Sequence, residues 1–360
     1  MTKRSKIIII VVLLAMIAAL MFTLLFNMGW IRSRKGALPR EDAKLRYPYS
    51  QLSATEKALY GALYRGVVAR EDTISLPGTY DKNTYTRVYL LLAEQEPQFF
   101  YLDSVYETAD LMDKANMRYK VPKDEIDMMR AAMNVRADAI ISQIPSDADD
   151  IQKLLAIHDG IAAGCDYTDG DYQDEAYGCL EAGEAKCEGY AKAFLFTARR
   201  AGLNVMNVTG KDSTGENHVW NIAEANGNYY QIDVTWDDDA QYRGHYTHTC
   251  FAMTDDDFAD HIADVRAYQP PACTDTENDY YHRERFWLNG GSAMLDTIRT
   301  WPYDCGVIEF RMSSEAAMQE AKSLIEKGGS VRQEITNACG AMSYQALADD
   351  NRNVIVILPS

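Results

Sequence analysis

Between Cys187 and Trp236 the hydrophobic period switches from helix to strand, and this segment limits the possible folds more than any other. Tyr190, Ala191, Phe194, Leu195 and Ala198 recur at helical spacing, and Gly202 stands where such a helix would stop. "LNVMNVTG" then reads as a strand, and "HVWNIAEANGNYYQIDVTW" as a hairpin turning at Asn226 and Gly227. A cysteine-headed apolar helix followed by antiparallel strands predicts an α+β fold.

A cysteine at the start of a helix gains from the N-terminal dipole and the unsatisfied backbone N–H groups, which favour thiolate over thiol. Attack on a carbonyl also needs a base and something to hold that base. The hairpin supplies both. If its two-residue turn pairs Ala225 with Asn228, His218 falls opposite Thr235. Asp233 is then the diagonal neighbour of His218 on the same face, about 7–8 Å away at the backbone. A one-residue slip would send the two side chains to opposite faces.

The segments "CEGYAKAF", "HVWNI" and "YYQIDVTWDDD" resemble the signature segments of the transglutaminase-like superfamily, in the bacterial branch where Cys-x-Gly-Tyr-Ala, His-x-Trp-Asn and Asp-x-Thr-Trp-Asp recur. The resemblance covers residues 150–262, including "IHDGIAAGCDYT" and "FAMTDDDFADH". Val219, where alanine is common, is a mild departure. The resemblance implies a papain-like transglutaminase core, with the cysteine-bearing helix packed on an antiparallel sheet. It also implies Cys187 as nucleophile, His218 as base and then acid, and Asp233 holding the imidazole. The activity implied is peptidase, amidase or acyltransferase, through attack on an amide carbonyl and an acyl-thioester, with protein or cell-wall peptide as the substrate class. The rival reading is a binding module that keeps the fold without turnover.

Other residues carry weaker signals. Tyr177 is weighed as an oxyanion donor and read as a packing tyrosine, whereas Trp220, on the predicted face of His218, is a candidate wall of the thioester pocket. Trp236 and His158 read as structural. His245 and His248 near residues 237–239, and "TDDDF" at 254–258, lack the spacing of known metal loops, so neither a metal nor a cofactor is expected. Cys165, Cys179, Cys250, Cys273, Cys305 and Cys339 read as buried thiols or disulfide partners.

At the N-terminus Lys3, Arg4 and Lys6 precede an apolar run from Ile7 to Phe22 that continues past Thr23 to Phe26, a span of 20 residues. About 20 suffice to cross a bilayer, and no small-x-small cleavage site follows. The 20-residue span counts Thr23 with 19 apolar residues, and the expectation is an uncleaved signal anchor and a single-pass membrane protein with an extracytoplasmic catalytic domain. Residues 1–40 hold seven basic residues and no acid, which leaves 29 basic against 53 acidic residues in the body, a formal −24. Such a body repels nucleic acid. The expected organisation is an anchor over 1–31, a stalk over 32–47, a helical region over 48–145, a catalytic domain over 146–268 and a small C-terminal α/β module over 269–360.

Overall fold

Ser53 and Glu56 start the first long helix, α1 (Ala54–Val68), through a capping box in which each side chain serves the other residue's backbone N–H. The computed structural model describes Ile17 and residues 37–103, 108–303 and 305–360. They form two compact units. One comprises the described residues up to Ala43 together with Tyr49–Ala93 and Leu102–Lys120; the other comprises Lys44–Pro48, Glu94–Tyr101 and Val121–Ser360.

In the first unit α1 is followed by strand β1 (Thr73–Asp81), helix α2 (Lys82–Gln95) and strand β2 (Leu111–Asn116). β1 and β2 pair antiparallel, with a register irregularity between Ser75 and Tyr80. Pro77 and Gly78 lie in that irregularity and interrupt the strand signal, which is why this stretch of the predicted helical region does not read as extended from sequence.

The second unit opens with α3 (Ile126–Ile141) and α4 (Asp150–Ala162). The cap of α4 is Asp149, paired with Gln152 in a capping box. Helix α5 (Cys187–Arg200) buries Tyr190, Ala191, Phe194, Leu195 and Ala198, and Arg199 and Arg200 in its last turn suit the negative end of its dipole. Gly202, at φ +84°, ends it. Strands β3 (Val205–Lys211), β4 (Asn217–Ala225) and β5 (Asn228–Ile232) form the sheet on which α5 packs. After the short helix α6 (Val234–Asp237), strands β6 (Phe251–Met253) and β7 (Ile262–Ala263) complete it in the order β6-β5-β4-β3-β7, all antiparallel.

The hairpin register is the predicted one: Ala225 pairs with Asn228, Glu224 with Tyr229 and so on to Asn221 with Ile232. Asn226 and Gly227 both have positive φ, 53° and 84°, as a type I′ turn requires. Gly189 permits the start of α5 to lie against the preceding loop, since a Cβ there would sit 2.3 Å from the Gln173 carbonyl oxygen.

The remainder of the unit contributes a four-stranded sheet. Strand β8 (Trp287–Leu288), helix α7 (Gly291–Arg299), strand β9 (Ile308–Met312), helices α8 (Glu315–Lys327) and α9 (Gly329–Cys339), and strands β10 (Tyr344–Asp349) and β11 (Val354–Pro359) follow in turn. The sheet order is β8-β9-β11-β10, with only the β8–β9 pair parallel. Cys305 and Cys339 form a disulfide, while Cys165, Cys179, Cys250 and Cys273 are buried free thiols.

The expectation of a single-pass membrane protein is corrected here. Among the described residues no helix is long and apolar enough to cross a membrane. Apart from Ile17, the apolar run on which the anchor and its extracytoplasmic orientation rested lies outside the described residues.

Phe194 is completely buried between α5 and the sheet. Phe194→Ala should cost about 3–5 kcal/mol, read as a lower denaturant midpoint at unchanged m-value.

Candidate active site

Asp233 closes the strand β5 and opens the helix α6, and its two carboxylate oxygens divide the work. Oδ1 caps α6, accepting from the backbone N–H of Thr235 at 3.0 Å and of Trp236 at 3.4 Å. Oδ2 accepts from His218 Nε2 at 2.6 Å and from His261 Nε2 at 3.2 Å. Pairing between β4 and β5 stops at Ile232, so Asp233 reaches His218 from a helix cap and not from the extended strand the sequence suggested. Asp233 is 1% exposed and His218 6%.

His218 thus spends Nε2 on Asp233, which leaves Nδ1 uncommitted to that carboxylate, and Cys187 lies near enough to contribute to the raised pKa of the ring. Cys187 is the first residue of α5 and the one free cysteine among the described residues that is not buried. Asn221, one strand turn from His218, donates to the Ala191 carbonyl at 3.1 Å and to Asn207 Oδ1 at 2.8 Å, which locks the histidine strand to the cysteine helix.

The electrostatics follow from burial set against charge. Burial opposes a charged imidazole, but the Asp233 carboxylate and the hydrogen bonds to Asp233 and Cys187 outweigh it, so the His218 pKa is pushed up to about 10. Burial likewise opposes ionisation of Asp233, yet His218 and His261 hold its carboxyl well below the usual range.

A line of charges continues beyond Asp233. His261 Nδ1 faces Asp260 Oδ1 at 2.8 Å, and Asp260 is gripped by both terminal nitrogens of Arg352, at 2.9 and 3.0 Å. Arg352 is 1% exposed, lies on the turn between β10 and β11, and also stacks over Trp236 and Phe258. Sequence reasoning passed over His261, Asp260 and Arg352; "FADH" was noted only as part of the resemblance, and nothing local marks Arg352.

The aromatic residues stand in different relations to the site. Trp220 stacks beside His218 at 6.0 Å, buried, with its indole N–H donating to Gln231 at 2.8 Å. Trp236 also flanks the site, 5.8 Å from the His218 ring and 4.3 Å from that of His261. Tyr177 instead stacks on Phe100 and meets Tyr172 edge-on. The tyrosine whose hydroxyl senses Cys187 is Tyr167: burial raises its pKa first, and the Cys187 charge adds to that. A cavity of about 520 Å³ borders His218, lined among others by Gly210, Val219 and Ile262.

His218 has a folded-state pKa above its ordinary value of about 6.5, so its stabilising effect is full below pH 6.5 and is lost as pH rises through about 10. The melting-temperature gap between the wild type and His218→Gln should therefore be widest near pH 6 and shrink steadily toward pH 10.5.

Residues 138–234 match the sequence profile of the Transglutaminase-like superfamily. Among solved structures, the chain is similar to the crystal structure of a TGase, at 15% identity and a TM-score of 0.26, covering 36% of this chain and 43% of that one. It is also similar to a "putative cysteine protease" of Cytophaga hutchinsonii, at 16% identity and a TM-score of 0.28, covering 40% and 46%. The chain spans less than half the length of either. No curated protein matches it. The segment that matches the superfamily, residues 138–234, holds Cys187, His218 and Asp233.

Proposed function

We propose that the chain is a cysteine-dependent enzyme that transfers or hydrolyses acyl groups at amide bonds of protein or peptide substrates. The observation that carries the reading is His218, bonded through Nε2 to the buried Asp233 at 2.6 Å and electrostatically coupled to Cys187 at a helix start.

In this mechanism the Cys187 sulfur attacks the amide carbonyl carbon while the proton resides on His218. A C–S bond forms and the carbonyl electrons move to oxygen, where the backbone N–H groups at the start of α5 stabilise the oxyanion. His218 then delivers its proton to the amine as the C–N bond breaks, leaving an acyl-thioester. Water or a primary amine attacks that thioester, His218 takes the incoming proton, and the C–S bond breaks to return the thiol. Asp233 keeps the imidazole oriented with Nδ1 toward sulfur throughout. Trp220 and Trp236 flank the ring and limit its solvation.

The test is kinetic. On a peptide amide offered with water or a primary amine as acceptor, Cys187→Ala and His218→Ala should each abolish turnover. Asp233→Asn should retain weak activity, since an asparagine whose Oδ1 caps α6 turns its NH2 donor toward His218 Nε2 in place of an acceptor. The Cys187/His218 double variant should be no worse than the poorer single one. Full turnover by folded Cys187→Ala would overturn the mechanism.

A further inference from the structure

We propose that His158, Asp159 and His248 form a site for a divalent transition-metal ion of the zinc type, separate from the cysteine centre. Their donor atoms lie within 4.8 Å of one another. Asp159 Oδ1 is 3.0 Å from His158 Nδ1 and 3.0 Å from His248 Nε2. Ligands held about 2.0–2.2 Å from a common ion are separated by about 3.0–3.5 Å, so the two Asp159–histidine spacings suit a shared ion.

The hydrogen-bond capacity of the two rings is compatible with an ion. A neutral imidazole offers one N–H and one lone pair. Here both nitrogens of each ring face carboxylates: His158 Nε2 lies 3.1 Å from Asp237 Oδ2, and His248 Nδ1 lies 2.6 Å from Glu309 Oε1. In the neutral form each ring would aim a lone pair at an anionic oxygen. A second proton on each ring or a divalent ion removes the conflict; with the ion, each ring donates outward to Asp237 or Glu309 and gives its inner lone pair to the metal. A carboxylate behind each ligating histidine is the arrangement that orients such ligands.

Those outer carboxylates are themselves held firmly. Asp237 accepts from Thr247 Oγ1 and the Cys250 backbone N–H, and Glu309 from Tyr281 and the His248 backbone N–H. Tyr280 stacks on His248 at 3.8 Å. Asp159 and His248 border a cavity of about 810 Å³, which leaves coordination positions open to it. Asp166, Asp238 and Glu284 also line this cavity, so water rather than an anion completes the sphere.

The second such group among the described residues, His218, Asp233 and His261, is wholly buried. Two nitrogen donors and one oxygen donor select zinc-like ions over Ca2+ or Mg2+, which prefer all-oxygen sites.

The test uses the full-length chain carrying Cys187→Ser, so that the thiol cannot act as a ligand. After chelator treatment, calorimetric titration with Zn2+ should give one ion per chain, with no displacement by excess Mg2+ or Ca2+. Asp159→Asn and His248→Gln should each weaken binding by about tenfold or more, whereas His261→Gln should leave it unchanged. Zn2+ should also raise the melting temperature of the parent and not that of Asp159→Asn, a conservative change at a partly exposed side chain that preserves the fold. No stoichiometric Zn2+ binding, binding that survives both ligand substitutions, or loss only in His261→Gln would each overturn the assignment.

Discussion

The carboxylate of Asp233 is the group on which the rest of the candidate site depends. A buried carboxylate is costly unless every oxygen is satisfied, and breaking such a network typically costs several kcal/mol. Here Oδ1 is used by two backbone N–H groups at the start of α6 and Oδ2 by two histidines. One residue therefore ends β5, starts α6 and orients His218. The raised pKa of His218 and the depressed one of Asp233 describe the same attraction seen from its two ends.

From that carboxylate the order spreads in two directions. Toward α5, Asn221 bonds the Ala191 carbonyl and the Tyr190 hydroxyl bonds Asp238 at 2.5 Å, so the helix that begins with Cys187 is tied to both the histidine strand and the segment after α6. Toward the C-terminus, His261 and Asp260 lead to Arg352 in the β10–β11 turn. The C-terminal sheet thus supplies a buried cation to the support of a site assembled around 100 residues earlier in the chain. In the proposed mechanism Arg352, Asp260 and His261 are positioning residues, acting on Cys187 only through Asp233 and His218.

Much of the site was legible because its strongest signals are local. The helix from Cys187 and the Asn226-Gly227 turn follow from periodicity and turn chemistry, and the turn sets the register of the hairpin from Ala225–Asn228 to Asn221–Ile232. The helix cap at Asp233 was not legible, because "DVTW" continues the alternating pattern of a strand past the point where pairing ends. Long-range partners were harder still. Arg352 meets Asp260 across 92 residues, and Glu309 meets His248 across 61, with no spacing rule to connect them. Tyr177 shows the converse: ten residues before Cys187 in sequence, its ring packs on Phe100 and Tyr172. The strand at Thr73–Asp81 was hidden by Pro77 and Gly78 at its bulge.

The central claim is that Cys187 and His218 act as one chemical unit, and the most direct measurement is competitive alkylation followed by mass spectrometry. The folded chain is exposed to limiting iodoacetamide at neutral pH, and label is quantified at each of its free cysteines. The account predicts that Cys187 is modified first by a wide margin and that His218→Ala slows its labelling while Cys165, Cys179, Cys250 and Cys273 remain protected. Labelling of Cys187 at the rate of an unfolded-chain thiol, unchanged in His218→Ala, would contradict it.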